Sequence, residues 1–445
     1  MAIHPIDSLI FGPAWGSDEL RTLFDDEGRT RGWCEVLAVL AEEEATLAII
    51  PAAAATEIAR VLREEPVDLD EVRRGTAETG HSLLGLIRAL ARQCAGDAGE
   101  WICYGATVQD VTDTWYAKTL LAVADLAERD LSALESPLVE LARKHRSTLM
   151  LGRTHGQAGL PITFGYKVAV WLDEIRRHRE RLTQLRPRVG VGQLAGGVGT
   201  LSGYGPRGLE LQANVMARLG LGVPVISWTS ARDRFAEFVG WLALLTGTLD
   251  RIGHEVYNLQ RSEIQELSEP AAAGDVGSIT MPQKRNPERS EHIGTLARLV
   301  RRDADLMLEA VVGDHERDGR SWKTEWAAIP EACVAAAAAL RLTIELMAGL
   351  EVHQEQMLRH LDEWHEQAAT EAVMLALARL TGKQSAHERV HAAAARAREA
   401  GQPLREVLRD DPGIGGVLPR EELERLLTEP SSGLAEALVD RVLAG

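Results

Sequence analysis

This sequence predicts an all-α protein with an N-terminal helical domain, a central bundle of long helices and a small C-terminal helical domain. Three observations predict it. Alanine, leucine, arginine and glutamate dominate a chain that is 45% hydrophobic but only 4% aromatic, a composition that favours long helices. Phe235, Phe238, Leu242, Leu245, Leu249, Ile252, Val256 and Leu259 follow one another in steps of three and four, a sustained heptad seam. β-branched alternating runs are almost absent, so little sheet is expected.

The 445 residues exceed what one ordinary core supports, so the chain is divided into domains at 1–112, 113–350 and 351–445. The first part reads as short helices. Residues 18–49 form one amphipathic segment that Pro51 ends, and Gly80-His81-Ser82 opens another over 83–93. A break at 96–100 leads to the loop 104–110. The central part carries long helices over 114–149, 163–185, 232–262, 288–312 and 330–350. Thirty helical residues span about 45 Å. Val239, Trp241 and Leu244 lie off the seam, so more than one face of that helix is expected to be buried. A seam this long packs in bundles and is also able to join subunits. After residue 350 the helices shorten, with breaks at 401–403 and 412–416.

The net charge of −17 argues against nucleic acid as a partner, because phosphates need a basic surface. An acidic protein that takes an acidic substrate must place its cations locally. Cys34, Cys94, Cys103 and Cys333 show no metal-ligand spacing and read as reduced thiols. The N-terminus M-A-I-H-P-I-D has no basic region followed by an apolar run, and no apolar run matches a bilayer. A cytoplasmic protein without membrane contact is expected. No organic cofactor or metal motif appears.

One long stretch inside the helical pattern has neither helical nor strand periodicity: G-D-V-G-S-I-T-M-P-Q-K-R-N-P-E-R-S-E, residues 274–291. Gly274 and Gly277 permit unusual backbone angles. Pro282 and Pro287 prevent a helix between them, and Pro287 is placed near the start of a new one. Such a loop, with the Ser278 hydroxyl, the Lys284 cation and the Asn286 amide, is equipped to close over an anion and expel water. Asp275 is the other side chain in it that qualifies as a base.

The run G-S-x-x-M-P-x-K-x-N-P, residues 277–287, resembles the signature loop of the aspartase/fumarase superfamily. The resemblance implies Ser278 as catalytic base and Lys284 and Asn286 as ligands of a substrate carboxylate. The second serine of many members is Ile279 here. A second stretch, Gly152-Arg153-Thr154-His155-Gly156-Gln157, is expected at a helix entrance, where backbone N–H groups favour anions. With Pro161, Thr163 and Gly165 it resembles the second signature region, which implies Thr154 and Gln157 as carboxylate ligands and His155 as a general acid or its orienter. Glu291 matches the glutamate that pairs with that histidine, raising its pKa and fixing its tautomer. A third stretch, residues 105–114, resembles the first region. It implies Thr107 and Gln109 around a carboxylate, with Val108 standing where many relatives have serine. His81 falls where adenylosuccinate lyases carry a further catalytic histidine. Arg317, in His315-Glu316-Arg317, is a candidate clamp for a second carboxylate, because guanidinium binds carboxylate in bidentate fashion. Arg232 and Arg234 read equally well as structural ion pairs.

Residues 228–237, 315–326 and 370–377 resemble the 3-carboxy-cis,cis-muconate cycloisomerase branch, so the likeness covers nearly the whole chain. Two features depart from it: bacterial cycloisomerases often carry tryptophan where His155 stands, and serine where Val108 stands. The features with which adenylosuccinate lyases hold a nucleotide are absent as well, since residues 8–16 lack an Arg-Tyr pair and Trp228 replaces a glutamine. A cycloisomerase-like scaffold with a lyase-like histidine is similar to biosynthetic lyases of this branch, nitrosuccinate lyases among them.

The resemblance implies β-elimination from a substituted succinate to fumarate and a small leaving group, amine, alcohol or nitrite. Val108 and Trp228 are read as an apolar wall, which makes nitrosuccinate the boldest specific substrate. A lactonising cycloisomerase is the alternative, and a catalytically dead structural relative like a lens crystallin is a third reading that intact Ser278, His155, Lys284 and Asn286 argue against. The implied assembly is a homotetramer joined by the central helices, with each site shared between subunits.

Overall fold

Five long helices are present: Val108–Lys144, Phe164–Val189, Asp233–Leu259, Glu288–Ala310 and Gly319–Ala348. The structure is a computed structural model that describes residues 4–271, 274 and 277–445. Asp275 therefore lies outside the described residues. The Gly319–Ala348 helix begins well before the expected 330 and carries Pro330 in its interior. An interior proline costs about 3 kcal/mol; burial of Ala328, Ile329, Ala332, Val334, Ala335 and Leu340 offsets it. This helix is long and apolar enough to cross a membrane, but 67% of its most apolar stretch is buried inside the protein, as in a core helix.

The segment 18–49 is two helices, Asp18–Phe24 and Asp26–Thr46. The break comes at Asp25, whose extended backbone lets its carboxylate accept the Gly28 N–H at 2.7 Å. An aspartate N-cap of this kind starts a helix more cheaply than continuing the previous one. Ser82–Ala91 is the helix expected at 83–93, and Gly80 before it is left-handed, with φ 67°.

Little sheet forms, but its place is informative. Leu149–Thr154 pairs antiparallel with Gln157–Thr163, and Leu267–Ser268 with Glu351–Val352. Residue 149 is thus a strand residue and not the end of a helix, and residues 152–157 form a hairpin, not a helix entrance. The helix before them stops at Lys144. Met150, Leu151 and Gly152 are buried; Met150 pairs with Ile162 and Leu151 with Pro161, and the register shifts at Gly152.

The chain forms two compact units, each assembled from three segments. The first comprises Met1–Ala133, Arg176–Gly253 and Arg289–Ile344; the second comprises Leu134–Ile175, His254–Glu288 and Glu345–Gly445. In the second, Val373, Leu377, Val390, Leu408, Ile414 and Leu418 build a core for the C-terminal helices. The heptad residues from Phe235 to Leu259 are all at most 2% exposed within the single chain. The seam is therefore core, not a joint between subunits, which corrects one of the two expectations for it. Val239 and Trp241 are buried as well, while Leu244 is 60% exposed.

Candidate active site

In the first unit the site is built on the start of the Val108–Lys144 helix. Gly105 has φ 67°, and a Cβ there would stand 2.5 Å from the Tyr204 ring, so the loop lies flat on that ring only because residue 105 is glycine. Asp110, in the first helical turn, accepts from the backbone N–H of Thr107 at 3.0 Å, Ala195 at 2.9 Å and Gly196 at 2.9 Å. Burial pushes its carboxyl up to about 6, against the pull of those three donors. These bonds fix Thr107 beside the loop 195–197. Arg317 donates from Nη1 to Thr107 Oγ1 at 2.9 Å and from Nη2 to the Gly197 carbonyl at 3.1 Å. Its Nε is buried without a hydrogen-bond partner among the described residues. Thr107 and Arg317 are thereby brought together, 210 residues apart in the chain.

Gln109 is placed differently. It is 1% exposed, and its Nε2 donates to Asp113 Oδ2 at 3.1 Å and to the Thr229 carbonyl at 2.9 Å. Both amide protons are thus in use, and Gln109 serves as a support of the helix start. The same support contains a feature that sequence spacing did not reveal. Arg232, 2% exposed, binds Asp113 through Nη1 at 2.7 Å and Glu325 through Nη2 at 2.5 Å. Burial pushes the Glu325 carboxyl up to about 7 against the pull of Arg232. Arg232 is accordingly a structural ion pair, and Arg234 donates to the Arg188 carbonyl at 2.6 Å. Trp228 is 3% exposed, donates from Nε1 to the Gly192 carbonyl at 2.9 Å, and stacks on the Arg232 guanidinium at 5.2 Å. It is a core residue, so the expected apolar wall retains only half-buried Val108.

His81 immediately precedes Ser82–Ala91, is exposed, and makes no side-chain cap bond. Glu291 lies exposed in the first turn of Glu288–Ala310.

Behind this site, Glu44 is fully buried with neither carboxylate oxygen partnered among the described residues. Burial pushes its carboxyl up to about 8. The raised pKa fixes the sign: the unfolded chain ionises near pH 4.3, so stability falls as pH rises from there to about 8 and then levels off. Glu44→Gln cannot ionise, and its Tm advantage over wild type should widen between about pH 5 and about pH 8. A difference independent of pH in thermal denaturation would refute this.

In the second unit, the loop is folded onto itself. A Cβ on Gly277 would lie 2.3 Å from the Lys284 carbonyl, so glycine is what allows the two ends of G-S-I-T-M-P-Q-K to meet. Ser278 Oγ accepts the Met281 N–H at 3.1 Å, and the Lys284 N–H reaches the Met281 carbonyl at 2.9 Å. Arg285 anchors the loop by donating to the Glu269 carbonyl at 2.8 Å, and Gln260 donates to the Arg285 carbonyl at 3.2 Å. Lys284 is exposed and Asn286 half-buried. Chemically, the loop carries an exposed cation and a hydroxyl oxygen that already receives an N–H, and such a donor favours the charged form of an oxygen.

His155 and Gly156 are the two turn residues of the hairpin, with φ 53° and 72°. Two consecutive left-handed residues make the primed turn that matches strand twist. For histidine this conformation costs roughly 1 kcal/mol or more. Thr154, His155 and Gln157 are exposed, and Thr154 pairs with Gln157. The strand leading to His155 is held from below. Arg153 binds fully buried Glu266 at 2.9 and 2.6 Å, and Glu266 also meets His360 Nδ1 at 2.6 Å. Sequence reasoning missed Glu266 and His360, because nothing local marks residues 113 and 94 positions away from their partners.

Residues 15–301 match the family model described as Lyase, and 367–442 match Adenylosuccinate lyase C-terminus. An N-acetyl-S-(2-succino)cysteine lyase of Dickeya dadantii is 39% identical over 445 residues, 100% of this chain and 98% of the relative. A 3-carboxy-cis,cis-muconate cycloisomerase of Pseudomonas aeruginosa is 38% identical over 96% of this chain and 94% of its own. Among solved structures, a fumarate lyase from Mesorhizobium sp. BNC1 superposes with a TM-score of 0.89 at 37% identity, covering 97% of this chain and 98% of that one.

Proposed function

The chain belongs to the aspartase/fumarase superfamily of lyases, and from that premise we propose that it eliminates a small group from a 2-substituted succinate to release fumarate. The observation that carries this reading is the folded Ser278–Lys284 loop together with full-length likeness to enzymes of that chemistry. Ser278 Oγ, acting as its alkoxide, takes the proton from the carbon next to one carboxylate. The electron pair of that C–H bond goes into an aci-carboxylate, then forms the C=C bond of fumarate as the bond to the leaving group breaks, and its electron pair departs with that group. Lys284 and Asn286 stabilise the doubly charged carboxylate; one well-aimed donor at such a site is worth about 3–4 kcal/mol. Thr107, with Arg317 beside it, and Thr154 with Gln157 bind the carboxylates. His155, paired with Glu291, or His81 supplies a proton where the leaving group needs one. His155 and Ser278 belong to one unit, Thr107 and Arg317 to the other; we place the complete site in a homotetramer whose subunits share it, assembled through surfaces other than the buried seam.

For the leaving group, Val108 still favours a weakly hydrated substituent, and nitrosuccinate is the reading it supports. The Dickeya relative's substrate supports a second, a succinylated thiol. Purified protein is expected to release fumarate, read by absorbance, from one of these two. Lactone formed from 3-carboxymuconate with no fumarate from any succinate would replace this reading with the cycloisomerase one.

His155→Ala sorts the leaving groups further. Nitrite and thiolate are stable anions, and the change should lower kcat only a few-fold. An amine or alkoxide needs a proton in the transition state, and the same change should then cost about 10²–10⁴-fold. Single-turnover kinetics with the substrate that gives fumarate separates the two.

A further inference from the structure

A cavity of about 170 Å³ lies in the first unit, between the helices Asp26–Thr46, Val108–Lys144 and Gly319–Ala348. Its walls are aromatic: Trp33, Trp115, Tyr116 and Trp326. The Trp115 ring reaches its place because residue 32 is glycine; a Cβ there would stand 2.2 Å from the indole. Trp33 meets Trp115 edge-on at 6.1 Å, and the Arg29 guanidinium lies 5.7 Å from the centre of the Trp115 ring.

Two polar groups of these residues are under-used. The Trp33 Nε1–H is buried without a hydrogen-bond partner among the described residues, in a side chain 8% exposed. A buried donor left unpaired is costly. Among the described residues, the ion pair of Arg29 is a loose one, with Asp26 at 3.9 Å. No carboxylate among the described residues lines the cavity. The lining thus offers one cation, Arg29, and the hydroxyls of Ser82, Thr112 and Tyr116, so it fits an anionic acceptor on an apolar body.

Position ties the cavity to the chemistry. Ser82 on its rim follows His81 directly, and Thr112 in its wall lies five residues beyond Thr107, about 8 Å along the helix axis. Trp326 lies on the helix that starts just after Arg317. Arg29, Ser82 and Trp326 are half-buried, so the cavity opens on that side. Its volume is that of a cavity that holds roughly a benzene-sized guest, far more than nitrite fills.

We propose that this cavity is the leaving-group pocket, and that it takes a small thiol carrying a carboxylate on an acyl body, with the carboxylate on Arg29. The inference rests on the elimination reading above and selects its thiol form. The test uses N-acetylcysteine and its methyl ester as probes of the wild-type protein in titration calorimetry. The acid should bind about tenfold or more tightly than the ester, which lacks the charge. Arg29→Gln should bring the acid to the ester's level. In turnover, kcat/KM for the succinyl thioether of N-acetylcysteine should exceed that for 2-(methylthio)succinate about tenfold or more. Fumarate from both thioethers without preference, with acid and ester binding alike in wild type, overturns the pocket and leaves the elimination reading intact. No fumarate from either thioether overturns the thiol reading and the pocket's role with it.

Discussion

Ser278→Ala is expected to lower kcat by more than about a hundredfold while the protein stays folded. Removing a positioned base costs roughly 10²–10⁴-fold. The structural loss is small, since the hydroxyl's hydrogen bond is to the Met281 N–H, worth about 1 kcal/mol. Gly277, whose close approach to Lys284 shapes the loop, is untouched. Steady-state kinetics with the substrate that yields fumarate, beside circular dichroism of the same preparation, checks both halves. A variant that keeps more than about a tenth of the wild-type kcat would remove Ser278 from the chemistry.

The second large effect concerns folding. Leu245→Asp should unfold the chain, not merely dissociate an assembly. Leu245 is 1% exposed and lines, with Leu20, Leu242, Cys333 and Leu340, a void of about 20 Å³. That volume admits about one water. Asp130 lines the same void and, among the described residues, no cation does, so the new carboxylate meets a like charge. An unpaired buried charge costs about 3–5 kcal/mol, a large part of the roughly 5–15 kcal/mol that holds a domain together. Denaturant titration and size-exclusion chromatography are the measurements. A fully helical, folded monomer would return the seam to the role of a subunit joint.

The heptad steps of Phe235 to Leu259 are legible in the sequence, and so is the helix they form, because side-chain periodicity is a local property. What the seam faces is not local. A buried apolar stripe reads the same whether its partner is another helix of the same chain or of another, and only the packed structure puts these residues in the core. Trp228 and Gln109 illustrate the same limit for polar groups. Both sit in stretches that resemble site regions, yet Gly192, Asp113 and Thr229 claim their hydrogen bonds, and those partners are invisible to spacing.

The sequence by itself determined the helical class, the lyase chemistry and the loop from Gly277 to Pro287, since each rests on residues within a few positions of one another. Ser278, Lys284 and Asn286 need only one short loop and one glycine to share it. The tertiary structure alone decided that residues 152–157 are a hairpin, where two left-handed residues and a buried strand outweigh the missing β pattern. It alone joined Thr107 to Arg317, seated Arg153 on Glu266 and His360, and enclosed the aromatic cavity around Trp33 and Trp115. Each of these joins residues far apart in the chain, and the energies that select them, burial of apolar surface and satisfaction of buried polar groups, exist only once the chain is packed.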